Sequence, residues 1–216
     1  VLIVFGGPLA NFLLAIVIFF SIYTFIGKDF TPAVINEVQK DSPAMTGGLK
    51  QNDIILEIDG NKVESIMDVS KYITMSTDDI IDFKVKRSYD ELILKIKPNL
   101  VAGEDNLGNK INKRMVGIKL GAYNNQINHV KLGPAQAIYH AINEVYYVSV
   151  SSLKYIGGMI VGKADTSQLG GPIRIAKISG QVAEFGVLAF ISMMAHISIS
   201  LGLVNLFPIP LLDGGH

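Results

Sequence analysis

The chain closes on Asn205-Leu206-Phe207-Pro208-Ile209-Pro210-Leu211-Leu212-Asp213-Gly214-Gly215-His216, and the reading of this stretch decides what kind of fold precedes it. It ends an apolar segment that begins near Val187. At about 1.5 Å per helical residue, about 20 such residues cross a hydrocarbon core, so the segment is a spanning candidate. A carboxylate, two glycines and an imidazole are costly at the end of such a run, which points to chemistry. A helix end with a turn and a solvated Asp accounts for the same residues, because Pro and Gly punctuate helix ends. Pro208 and Pro210 remove amide donors and hold the backbone extended and irregular. At membrane depth such backbone is tolerated only where protein or a water cavity satisfies it. Asn205, one turn before the break, carries an amide donor and acceptor inside an apolar helix.

Composition agrees with a membrane setting. Hydrophobic residues make up 49% of the chain and charged residues only 18%, which is rich for a soluble protein. Mean hydropathy is +0.37. Nineteen Lys and Arg balance nineteen Asp and Glu, so nothing argues for nucleic acid, and the expected partners are lipid and protein. With no cysteine there is no disulfide and no thiolate metal site, and any metal must be held by His, Asp or Glu.

A second spanning candidate opens the chain, Val1 to Ile26, without the basic flank or small-residue cleavage site of a signal peptide. Inside it, Gly6, Gly7 and Pro8 precede Asn11; the glycines allow close approach of another helix, and Asn11 can hydrogen-bond across that contact. From Lys28 the composition is that of a water-soluble domain. Ala33 to Val38 and Asp53 to Ile58 read as strands, Ser42-Pro43-Ala44-Met45 as a short helical turn, and Asp59-Gly60 as a tight turn. Ile66, Val69 and Ile73 recur at helical spacing over about Ser65 to Met75, and Ile81 to Val85 and Leu92 to Ile96 alternate as a hairpin. Val101 to Asn128 is turn-rich and reads as linker, with one possible short strand at Met115 to Leu120. Leu132 to Gly162 reads as an amphipathic helix. Its apolar face carries Ala135, Ile138, Tyr139, Ile142, Val145 and Tyr146, and it is suited to the membrane surface or to other helices. His140 and Glu144, one turn apart, read either as metal ligands or as a solvated face. His196 reads as a proton carrier or as a packing histidine bonded to a carbonyl or serine.

The order of elements over residues 31 to 97 resembles the bacterial, circularly permuted PDZ domain. Ser42-Pro43-Ala44, Gly48-Leu49, Asp53-Ile54-Ile55 and Ile58-Asp59-Gly60 stand in register, while Gly47 replaces the usual Ala and Asn52 the usual Gly. The resemblance implies a peptide groove between the strand near Val34, Ile35 and Val38 and the helix carrying Val69 and Ile73, where a peptide adds as another strand. A PDZ fold acting only as a steric gate is the other reading.

Taken whole, the Gly-Pro helix with Asn11, the inserted PDZ module, Gly170-Gly171-Pro172 and the Asn-x-x-Pro-x-Pro-x-x-Asp-Gly-Gly terminus resemble the site-2 protease family of intramembrane zinc metalloproteases. The resemblance implies Zn2+ as cofactor, with Asp213 as one of three protein ligands and Asn205 positioning the reacting carbonyl. Asn11, Pro208 and Pro210 would be substrate-facing. It implies membrane-spanning protein substrates, a peptide or substrate segment at the PDZ groove, and a bacterial inner membrane with the PDZ module in the periplasm. The family's His-Glu-x-x-His is absent: His129, His140, His196 and His216 have no such partner. The chain is therefore expected to begin after that helix and to be inactive alone. A non-enzymatic, membrane-anchored PDZ adaptor explains residues 1 to 97 equally well, but not the terminus. The expected fold is a multi-pass α-helical membrane protein with an inserted small α+β domain. Its expected parts are a spanning helix at 1–27, the PDZ-like domain at 28–99, linker at 100–131, an amphipathic helix and Gly-Pro turn at 132–186, and a second spanning helix with the ligand segment at 187–216.

Overall fold

The structure is a computed structural model and describes residues 2–104, 110–123, 126–161 and 172–206. The chain divides into two compact units, Val1–Lys28 with Lys131–Leu153 and Gly170–His216, and Asp29–Val130 with Lys154–Leu169.

In the first unit, α1 (Leu2–Ser21) runs into a π-helical turn, Ile22–Ile26, which Gly27 ends with φ 121°. Two further helices are α5 (Pro172–Glu184) and α6 (Val187–Leu206), and α4 (Pro134–Ile160) begins in this unit. Gly6–Ile26 and Val187–Leu206 are long and apolar enough to cross a membrane. Their side chains explain how α1 and α6 pair. Phe12 sits where a Cβ on Gly202 would lie 3.1 Å from its ring, Ser198 Oγ donates 2.8 Å to the Asn11 carbonyl, and Phe19 meets the His196 ring edge-on at 5.4 Å. Going back along α1, the contacts advance along α6, so the pair is antiparallel. Gly202 is the close-approach glycine of this contact; among the described residues a Cβ on Gly6 or Gly7 would meet nothing within 4 Å.

On α4 the buried stripe is Ala137, Ala141, Val145 and Val148, while Ile138, Tyr139, Ile142 and Tyr146 are exposed. The expected apolar face thus splits. The small residues pack inward because they let the helix backbone come close, and the large ones are left outside.

The second unit is a six-stranded sheet with two helices. Its strands are β2 (Ala33–Val38), β3 (Ile54–Ile58), β4 (Asn61–Lys62), β5 (Ile81–Arg87), β6 (Asp90–Ile96) and β9 (Ile118–Ala122), in the order β6-β5-β3-β2-β9 with β4 on β3. The Asp59-Gly60 turn has positive φ at both residues, 48° and 75°, as a two-residue hairpin between β3 and β4 requires. Asn52, at φ 70°, takes the left-handed backbone that the usual Gly would supply. Helix α2 (Pro43–Thr46) is capped by Ser42 Oγ, and α3 (Ile66–Met75) by a capping box between Ser65 and Asp68. The core is alternating: Ile81, Phe83 and Val85 of β5 and Ile55 and Ile58 of β3 close against Val69 and Ile73 of α3.

The stretch expected as linker, 100–131, is mostly strand. β7 (Asn99–Glu104) and β8 (Lys110–Met115) form a hairpin, β9 joins the main sheet, and β10 (His129–Val130) pairs with β1 (Lys28–Asp29). The domain therefore extends to Val130. Its polar composition misled because a two-stranded ribbon buries little and needs no apolar run.

Candidate functional site

The groove of the second unit lies between α3 and β9. Val69 and Ile73 form its helical wall, Val116, Ile118 and Leu120 the opposite wall, and its volume is about 210 Å³. Val34, Ile35 and Val38, expected to line it, do not. β2 is paired with β3 on one edge and β9 on the other, and Val34 and Ile35 are buried. β9 has taken the place expected for β2, and as the last strand in the order it is the one beside the groove. Pairing follows Ala33↔Ala122 to Val38↔Ile118, with an irregularity at Asn36. Gly121 makes room for that bulge, because a Cβ there would lie 2.0 Å from the Asn36 amide.

Three residues that sequence reasoning passed over shape the groove's end. Gly117, at φ +82°, turns the chain into β9; its carbonyl accepts from Gln39 N, and the Val116 carbonyl accepts from Ala44 N at the start of α2. Arg114 reaches across to the end of α3, where its Nη1 donates 2.7 Å to the Ser76 carbonyl and its Nη2 to the Asp78 carbonyl. Its buried Nε meets no hydrogen-bond partner among the described residues. Burial pulls the guanidinium below its ordinary pKa, against the pull of Asp79, Asp78 and Asp59. The signal available in the sequence was the alternation of Val116, Ile118 and Leu120 behind a basic residue.

In the first unit, Asn11 is half-buried and its backbone carbonyl, rather than its side chain, takes the bond from α6. Asn205 is exposed on the last turn of α6. Because α1 and α6 run antiparallel, the Gly6-Gly7-Pro8 end of α1 and Asn205 belong to the same end of the pair. The His196 Nδ1–H donates 2.8 Å to the Ser192 carbonyl, the packing role. His140 meets the Tyr23 and Tyr139 rings edge-on, at 6.5 and 5.5 Å. Among the described residues no three His, Cys, Asp or Glu side chains gather to hold a metal. The described residues alone thus do not fit a zinc ion. Pro208, Pro210, Asp213 and His216 lie outside the described residues.

Several curated proteins and solved structures resemble the chain. A candidate zinc metalloprotease of Agrobacterium fabrum is 37% identical over 98% of this chain and 56% of its own length. One of Rickettsia conorii is 37% identical over 100% of this chain and 60% of its own. The PDZ domain of an SdrC-like protein of Listeria monocytogenes is 26% identical over 42% of this chain and 88% of its own, with a TM-score of 0.34. The chain thus spans a little over half the length of the curated relatives it matches. The sequence profile of Peptidase family M50 matches residues 1–216 from end to end, and the chain belongs to that family, the site-2 proteases.

Proposed function

We propose that this chain is the portion of an intramembrane zinc metalloprotease that carries one metal ligand and the substrate-selecting domain. The observation that carries the proposal is the antiparallel α1–α6 pair, two membrane-length helices that bring the Gly-Pro start of one level with Asn205 of the other. Asp213 follows within eight residues. Its carboxylate is an oxygen donor of the kind zinc accepts. Zinc, when bound with its other ligands, supplies Lewis-acid activation of water. Asn205, exposed at the helix end, offers an amide to hold the substrate backbone there. Asn11, Pro208 and Pro210 face the substrate in this reading, with the Asn11 carbonyl also taking the bond from Ser198.

The groove between α3 and β9 selects or gates substrate. An extended peptide adds to β9 as a further strand, with apolar side chains set between Val69, Ile73, Ile118 and Leu120. Substrates are membrane-spanning proteins, the two long helices lie in the bacterial inner membrane, and the PDZ-like domain faces the periplasm. Residues 1 to 216 alone neither hold zinc tightly nor cleave.

The test is Asp213→Ala in the complete protein. Proteolysis of a membrane-spanning substrate in proteoliposomes is lost, along with stoichiometric zinc, while expression is retained. Retained cleavage would remove Asp213 from the ligand set.

A further inference from the structure

The two crossings between α1 and the second unit are joined as a ribbon, β1 against β10. Three backbone N–H groups beside it are bonded from within. Phe30 N donates 2.7 Å to the Asn128 carbonyl, Asn128 N 2.9 Å to Thr31 Oγ1, and Thr31 N 2.9 Å to Asp29 Oδ1. The Thr31 hydroxyl also donates to Asp29, and Thr31 is buried. Two apolar side chains on the same ribbon face outward instead: Ile127 is 80% exposed and Val130 40%. Internally bonded N–H groups beside apolar side chains turned outward suit a place where water is scarce.

A single bond fixes the depth of this ribbon. Leu132 N donates 3.0 Å to the carbonyl of Tyr23, which lies three residues inside the end of the span at Ile26. Three helical residues rise only about 4.5 Å. Val130 is two residues from Leu132, at most about 7 Å of extended chain. The headgroup layer beyond the hydrocarbon core is about 5 to 7 Å thick on each side. Val130 therefore cannot leave the boundary.

We infer that the β1–β10 ribbon is an interfacial anchor whose partner is the lipid bilayer, with Val130 set at the headgroup–acyl boundary and Ile127 in the headgroup layer. The inference rests on α1 being a span. Gln126, Asn128, His129 and Lys131, all exposed, are the polar residues expected among headgroups.

The experiment uses the complete protein, freed of other cysteines, in vesicles of phosphatidylcholine and phosphatidylglycerol. Val130→Cys, Ile127→Cys, Leu14→Cys on the outer face of α1 and Tyr89→Cys in the β5–β6 turn each carry an environment-sensitive fluorophore. Brominated lipids quench Leu14 fully, Val130 nearly as much and Ile127 less, while aqueous iodide quenches Tyr89. If Val130 and Ile127 follow Tyr89 while Leu14 follows the lipid, the anchor is refuted and the span stands. If Leu14 also follows Tyr89, the span fails and the anchor with it.

Discussion

Asp53 is the residue whose loss the second unit should feel most. Its carboxylate is 0% exposed and receives Arg87 Nε on one oxygen and Arg87 Nη2 on the other, both at 2.7 Å, with Lys50 N at 2.9 Å. The same Nη2 donates 2.7 Å to the Gly48 carbonyl, so the pair ties β5 to the loop after α2. Asp53 in turn raises the Arg87 guanidinium above its ordinary value. Removing one partner of a buried pair costs about 3 to 5 kcal/mol, mostly through the charge left behind. The Arg87 side chain is 27% exposed. Water therefore recovers part of that cost, and Asp53→Ala should cost about 3 kcal/mol. For a domain of this size the urea dependence is about 1 to 1.5 kcal/mol per molar, so the unfolding midpoint of residues 29–130 should fall by about 2 to 3 M. Asp53→Leu with Arg87→Met removes both charges and should return to within about 1 kcal/mol of the parent. A loss below about 1 kcal/mol for Asp53→Ala, or a double variant no better than the single one, would refute the reasoning.

Gly117→Ala forces a side chain into a left-handed backbone and places its Cβ 2.4 Å from that of Ser42. Denaturant unfolding should show a loss of at least about 2 kcal/mol and a broadened groove end. Gly202→Leu overfills the contact with the Phe12 ring and should destabilise the α1–α6 pair by about 1 to 3 kcal/mol, read by thermal unfolding in detergent, with Gly202→Ala milder. Arg114→Gln removes a half-buried cation but keeps donors for the Ser76 carbonyl. Calorimetry should show about tenfold weaker binding of an apolar peptide with a free carboxylate end and no change for its amide, since about 1.4 kcal/mol separates tenfold affinities. Equal losses for both peptides would make Arg114 a structural residue only.

What the sequence disclosed and what it hid divide along one physical line. Elements made by near neighbours were legible: the Ser65–Asp68 capping box starts a helix, Asp59-Gly60 makes a turn, and Ile81, Phe83 and Val85 alternate into the core. Those signals are local, and tertiary packing only ratifies them. The placement of β9 was not legible, because Ile118 must find Val38 across eighty residues and Asn36 bulges in between. No local propensity encodes that pairing; Gly121 and Gly117 permit it only once the partner is there. The same line crosses the candidate site. Asn11 and Asn205 stood out as polar groups in apolar helices, a cost visible residue by residue. That they belong to one end of a helix pair depends on Gly202 admitting Phe12, a contact between positions with no shared local pattern. The terminus follows the same logic. Asp213 is proposed from its residue type and its place after an apolar run, while a metal site is a convergence of distant residues. A sequence can therefore propose a ligand before it can assemble a site, and the groove shows how far apart two such readings can be. Val69 and Ile73 line the α3 side of the groove, and β9 rather than β2 stands opposite them, where the resemblance to a PDZ domain places Val34, Ile35 and Val38.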